Sequence, residues 1–135
     1  MPTDATAASA PATAADDPPG TAGHDDAVAA RPPEHERETA VDGRTVAVAE
    51  YGDPDGRPVV LLHGTPGSRR LGDPFAPVAE REDVRLLAVD RPGCGRSEPW
   101  PDRTLADTGR FVDAILDDAS VSDARLVGFS GGGPH

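Results

Sequence analysis

Apolar residues change their spacing several times along this chain, and each spacing predicts a different element. Val46, Val48 and Glu50 alternate with Ala47, Ala49 and Tyr51 in the two-residue period of a strand. Asp42-Gly43, between Val41 and Arg44, reads as the centre of a hairpin turn, so order is expected from about Thr39. After a second turn at 52–56, Pro58-Val59-Val60-Leu61-Leu62 is a continuous apolar run, the pattern of a strand covered on both faces. Leu71, Phe75, Val78 and Ala79 have helical spacing, interrupted by Pro74 and Pro77. Residues 84–89 form a second buried-type strand, and 90–97 a turn-rich loop. Thr104 and Asp107 have the spacing of a capping box. Behind them Leu105, Thr108, Val112, Ile115, Leu116 and Ala119 share one helical face, with Asp113, Asp117 and Asp118 turned to solvent. Residues 124–129 are a last strand, running directly into Ser130-Gly131-Gly132-Gly133-Pro134-His135. Strand, helix, strand, helix, strand in alternation implies an α/β fold with a mostly parallel sheet.

Composition separates this region from what precedes it. Residues 1–36 are mostly Ala, Pro, Thr, Asp and Gly with no aromatic side chain. Such a segment buries too little apolar surface to offset its ordering entropy, so a disordered acidic tail is expected over 1–36 and one domain over 37–135. His24 and His35 in that tail have no ligand-spaced partners and are expected to be solvated.

The net charge is −11, and all 13 basic residues are Arg. Two readings stay open: an ordinary acidic protein of a GC-rich genome, or a halophile whose carboxylate surface works at high salt. Either way the charge argues against nucleic acid and anionic membranes as partners. One cysteine, Cys94, allows no intrachain disulfide, and no signal peptide or membrane-length apolar run is visible; a cytoplasmic protein is expected. No metal or cofactor site is expected.

Two segments carry candidate chemistry. Gly128-Phe129-Ser130-Gly131-Gly132 fits G-x-S-x-G directly after a buried strand. A serine hydroxyl is exposed at the top of a sheet when the strand turns sharply into a helix; the turn strains the serine and crowds the residues two before and two after it. Glycine at 128 and 132 removes the colliding side chains, and Gly131 offers its N–H to an oxyanion. His63-Gly64-Thr65-Pro66-Gly67 ends an earlier strand, with Gly64 and Gly67 letting the backbone pass close to a substrate and the Thr65 N–H available to the same oxyanion. His63 is read as a packing and turn-stabilising residue. Cys94 and Trp100 flank the site in the loop after a strand; ordinary loop packing is expected, with pocket lining as the alternative.

The order of these motifs, with Gly93 and Gly95 in the intervening Asp90–Ser97 turn, resembles the first part of an α/β-hydrolase. The resemblance covers roughly residues 39–135 and implies about five of the family's eight strands. It implies Ser130 as nucleophile on an ester, amide or related acyl substrate, and Thr65 and Gly131 as oxyanion-hole amides. The Pro-Gly form of the first motif is similar to the proline iminopeptidase and small-ester hydrolase branch. Epoxide hydrolases and haloalkane dehalogenases of this fold place Asp at the elbow, so Ser130 favours acyl transfer. In the family the triad acid and histidine follow the serine on later strands. Only five residues follow Ser130, and His135 is not taken as the base. The chain is therefore expected to be an N-terminal portion of a serine hydrolase, inactive alone, with an apolar strand edge open to self-association. The alternative is a non-catalytic or nucleotide-binding α/β module using Gly131-Gly132-Gly133 as a phosphate loop; the lack of Lys excludes a P-loop.

Overall fold

The computed structural model describes residues 29–135; the greater part of the expected tail, with His24, lies outside the described residues. Strand β1 (His35–Val41) hairpins into β2 (Arg44–Gly52) through Asp42-Gly43, both at positive φ. Strand β3 (Arg57–Leu62) follows, then a 3-10 segment (Arg69–Phe75), helix α1 (Ala76–Arg81), β4 (Val84–Val89), helix α2 (Asp107–Asp118) and β5 (Arg125–Gly128).

The five strands form one sheet in the order β1-β2-β4-β3-β5. β1 and β2 are antiparallel, as are β2 and β4, while β3 runs parallel to both β4 and β5. The alternation read in β2 divides its side chains between two cores. Val46 and Val48 join Val60, Leu62, Leu87 and Val89 against Phe111 and Ile115 of α2. Ala49 and Tyr51 join Leu61, Leu86 and Ala88 against Ala76 and Ala79 of α1. Helices therefore cover both faces, which explains why β3 and β4 are so largely apolar.

Three expectations need correction. β1 begins at His35, ahead of Thr39 and across the expected tail boundary at 36. Its polar sequence is held by cross-strand pairing and by ions: Glu36 meets Arg69 at 3.0 Å, Glu38 meets Arg96 at 2.7 Å, and Thr39 donates to Asp118 at 3.1 Å. His35 is exposed. In α2 and its C-cap, Thr108, Ile115 and Ala119 are buried and Val112 and Leu116 pack on the same core, with Phe111 added to that face, whereas Leu105 is 56% exposed, because the helix starts at Asp107 and residues 105–106 are a turn. Asp107 accepts the Thr104 N–H at 2.6 Å, but the Thr104 hydroxyl donates to that same carboxylate and does not cap a backbone N–H. Glu50 shares a strand face with valines yet is a buried carboxylate ion-paired with Arg37 and Arg85.

Among the described residues β5 pairs only with β3, and Leu126, Val127 and Phe129 are about half exposed. No helix among the described residues is long and apolar enough to cross a membrane.

Candidate active site

From β3 the chain crosses to β4 on one side and returns, through α2, to β5 on the other. Such a switch of direction opens a crevice at the carboxyl ends of the parallel strands. Both candidate motifs leave the sheet there: His63–Gly67 from the end of β3 and Phe129–Gly133 from the end of β5. Phe129 ties the two exits together, its N–H donating to Leu62 O at 2.9 Å.

At the second exit Ser130 takes φ 49°, the left-handed region that non-glycine residues occupy at a cost. The chain then reverses through a 3-10 turn, Ser130–Gly132, closed by Gly132 N–H to Phe129 O at 2.8 Å and Gly133 N–H to Ser130 O at 2.9 Å. Steric contacts give the reason for the flanking glycines. A Cβ on Gly128 would lie 2.5 Å from Gly132 O; one on Gly132 would lie 2.2 Å from Leu62 O and 2.8 Å from His63 O. The turn folds back so tightly that backbone occupies the side-chain space of both positions.

At the first exit Gly64 lies under the serine: a Cβ there would be 3.0 Å from Ser130 Cβ. Thr65 borders Gly131, with its Oγ1 3.1 Å and its amide nitrogen 3.4 Å from the position of a Cβ on Gly131. The Thr65–Pro66 peptide bond is cis. Among the described residues, neither the Thr65 N–H nor the Gly131 N–H has a hydrogen-bond partner, and Ser130 Oγ has none either. Two unspent backbone donors thus lie next to an exposed hydroxyl.

His63 is fully buried. Its Nδ1–H donates to Gly64 O at 2.6 Å and its Nε2 accepts from the Arg91 N–H at 3.1 Å, which fixes the neutral tautomer. Burial, with the Arg91 charge adding to it, holds its pKa below the ordinary histidine value. A Cβ on Gly67 would lie 2.8 Å from the His63 ring, so Gly67 lets the loop close over the imidazole. His135 accepts from Arg91 Nη1 at 2.9 Å through Nε2 and donates to Thr108 Oγ1 at 3.0 Å through Nδ1. Burial and then the Arg91 charge lower its pKa also. Both imidazoles are thus engaged away from Ser130.

The loop after β4 holds residues that sequence reasoning missed. Asp90 is fully buried and accepts from Arg69 N–H (2.5 Å), Arg69 Nη1 (2.6 Å) and Arg96 N–H (2.8 Å). Gly95, at φ 53°, passes so close that a Cβ would lie 2.1 Å from the carboxylate. Ser97 Oγ donates to Asp90 O and accepts from the Ala47 N–H, pinning the loop to β2. Arg91 is also buried and reaches both motif loops. The glycine spacing of 93 and 95 pointed to the turn; nothing in it pointed to these side chains. Trp100 packs on the α2-side core beneath the Arg44 and Arg110 guanidiniums. Cys94 is half-buried in the loop. Among the described residues no cluster of His, Cys, Asp and Glu could hold a metal ion.

A doubly covered α/β sheet with a serine at a strained strand-to-turn elbow defines a fold class shared by many hydrolases. Residues 57–135 match the family model of the alpha/beta hydrolase fold, and the chain belongs to that family. It is 35% identical over 80 residues to a proline iminopeptidase of Neisseria gonorrhoeae, covering 58% of this chain and 24% of the relative. It is 40% identical over 86 residues to a probable oxidoreductase EphD of Mycobacterium tuberculosis, covering 61% of this chain and 14% of the relative. The chain thus spans a quarter or less of these relatives' lengths. Among solved structures, epoxide hydrolase A of Mycobacterium thermoresistibile superposes with a TM-score of 0.64 over 73% of this chain and 32% of the other; at 24% identity this likeness concerns the fold.

Proposed function

We propose that this chain carries the nucleophile and the oxyanion-binding amides of a serine hydrolase acting on an ester, amide or related acyl substrate. The observation that supports it best is the strained Ser130, exposed beside two backbone N–H groups without partners among the described residues. In this reading Ser130 Oγ attacks the acyl carbon, and the carbonyl electrons move to oxygen. The Thr65 and Gly131 N–H groups receive that oxyanion, the leaving group departs, and water releases the acyl group from Ser130. Two preorganised donors in such a position are worth roughly 3 kcal/mol each to the transition state. Serine at 130, where epoxide hydrolases of this fold carry aspartate, favours acyl transfer over epoxide opening.

The serine proton needs a base, and no imidazole among the described residues is hydrogen-bonded to Ser130. The 135-residue chain is therefore expected to react slowly and stoichiometrically, with p-nitrophenyl acetate turnover near background. A fluorophosphonate probe followed by peptide mass spectrometry tests the reading. The adduct is expected on Ser130, absent in Ser130→Ala, and formed faster in the native chain than in urea. An adduct on another residue, or equal rates in native and unfolded chain, would refute it.

A further inference from the structure

Arg91 is a buried guanidinium with no carboxylate within ion-pair distance among the described residues. Every side-chain hydrogen bond it makes among the described residues is to a neutral acceptor. Nη2 donates to Gly64 O at 3.1 Å and to Thr65 Oγ1 at 2.7 Å; Nη1 donates to His135 Nε2 at 2.9 Å and, at 3.4 Å, to Gly131 O. Nε has no partner among the described residues. An unpaired buried charge is costly, so a position that keeps one invites a reason.

The acceptors supply that reason. Gly64 O belongs to the same peptide unit as the Thr65 N–H. It receives two donors, Arg91 Nη2 and His63 Nδ1, both on the side opposite the N–H. Donors on the carbonyl fix the plane of this peptide and draw electron density from its nitrogen, making the N–H a stronger donor. The second arm of the guanidinium reaches the elbow turn, so one rigid planar group spans both loops. The structure assigns Arg91 as the positioning residue of the oxyanion site: it orients and polarises the Thr65 amide, holds it in register with the Ser130–Gly131 turn, and leaves its own charge uncompensated until negative charge develops on a bound acyl oxygen. This deepens the serine-hydrolase reading and rests on it for its catalytic meaning, though not for its structural meaning.

The test compares Arg91→Met, which keeps an unbranched apolar stem without donors, and Arg91→Lys, which keeps charge without the fork. Two readouts are taken on the full chain: the amide proton and nitrogen shifts of Thr65, and the rate of Ser130 phosphonylation by a fluorophosphonate. Arg91→Met is expected to move the Thr65 amide to lower proton frequency while the amides of β2 and β4 keep theirs, and to slow labelling by about tenfold or more. Arg91→Lys is expected to recover part of both. A Thr65 shift unchanged in Arg91→Met, or slowed labelling without that shift, would overturn the assignment. If Arg91→Met fails to fold, the same comparison with Arg91→Lys decides, since unchanged shift and rate there would exclude a role for the fork. Should the parent chain show no labelling, the Ser130 reading fails while the Thr65 shift still decides the hold of Arg91 on the loop.

Discussion

Gly132→Ala isolates the steric requirement on which the elbow depends. Gly132 has no positive φ, so alanine there meets no conformational penalty of its own; the cost is contact. The added Cβ would sit 2.2 Å from Leu62 O and 2.8 Å from His63 O, both backbone atoms that cannot rotate aside. The turn must retreat by roughly an ångström from the end of β3 to restore ordinary contact distances. That movement breaks the Phe129 N–H to Leu62 O bond, now 2.9 Å, and drags Ser130 away from Gly64. A lost backbone hydrogen bond costs about 1 kcal/mol and overpacking a further 1–3 kcal/mol, giving roughly 2–4 kcal/mol in all. Gly109→Ala is the matched control. It lies inside α2 with nothing within 4 Å of an added Cβ, and should stabilise by roughly 0.5–1 kcal/mol through helix propensity alone. Urea unfolding followed by far-UV circular dichroism gives the global effect, and amide exchange at Phe129 and Gly132 detects a turn that lifts off while the sheet survives. Gly132→Ala with parental stability and parental protection at both amides would refute the reasoning.

Two further outcomes follow from buried charge. Asp90→Ala leaves three donors without their acceptor, one of them the Arg69 guanidinium, and should destabilise by about 3–5 kcal/mol in urea unfolding, with Asp90→Asn milder; an effect below about 1 kcal/mol would show that the loop is not organised by that carboxylate. His63 and His135 titrate below the ordinary histidine value when folded, so unfolding takes up protons once pH drops below about 6.5. Stability should be full above that pH and fall as pH descends towards the folded-state values; urea midpoints between about pH 7.5 and 5.5 that rise on acidification would contradict it.

The elements legible in the sequence are those whose stability comes from apolar burial along a short stretch. β3, β4 and the buried positions Thr108 and Ile115 of α2 announce themselves by spacing, and the elbow by glycines on either side of a serine after a strand. β1 could not be read this way. His35–Val41 carries two exposed glutamates and owes its place to β2 and to arginines 33 and 58 residues downstream, which pattern analysis cannot pair. Phe111 was missed because the expected helix face was phased from Leu105, which lies in the preceding turn. Arg91 looked like part of an Arg-Pro-Gly turn. Its importance arises from two loops, 26 and 40 positions away, that only the parallel sheet brings to one end. The sequence motifs therefore marked the two loops, while the arginine that hydrogen-bonds to both emerged from topology.

The proposed chemistry requires Ser130 to present its hydroxyl to an acyl centre whose oxygen falls between two amides. A crystal structure of the chain after reaction with a fluorophosphonate is the most direct measurement. The expected result is phosphorus bonded to Ser130 Oγ, with its free oxygen within about 3 Å of both the Thr65 and Gly131 nitrogens. A phosphonyl oxygen directed to solvent, with those two amides bound elsewhere, would contradict it.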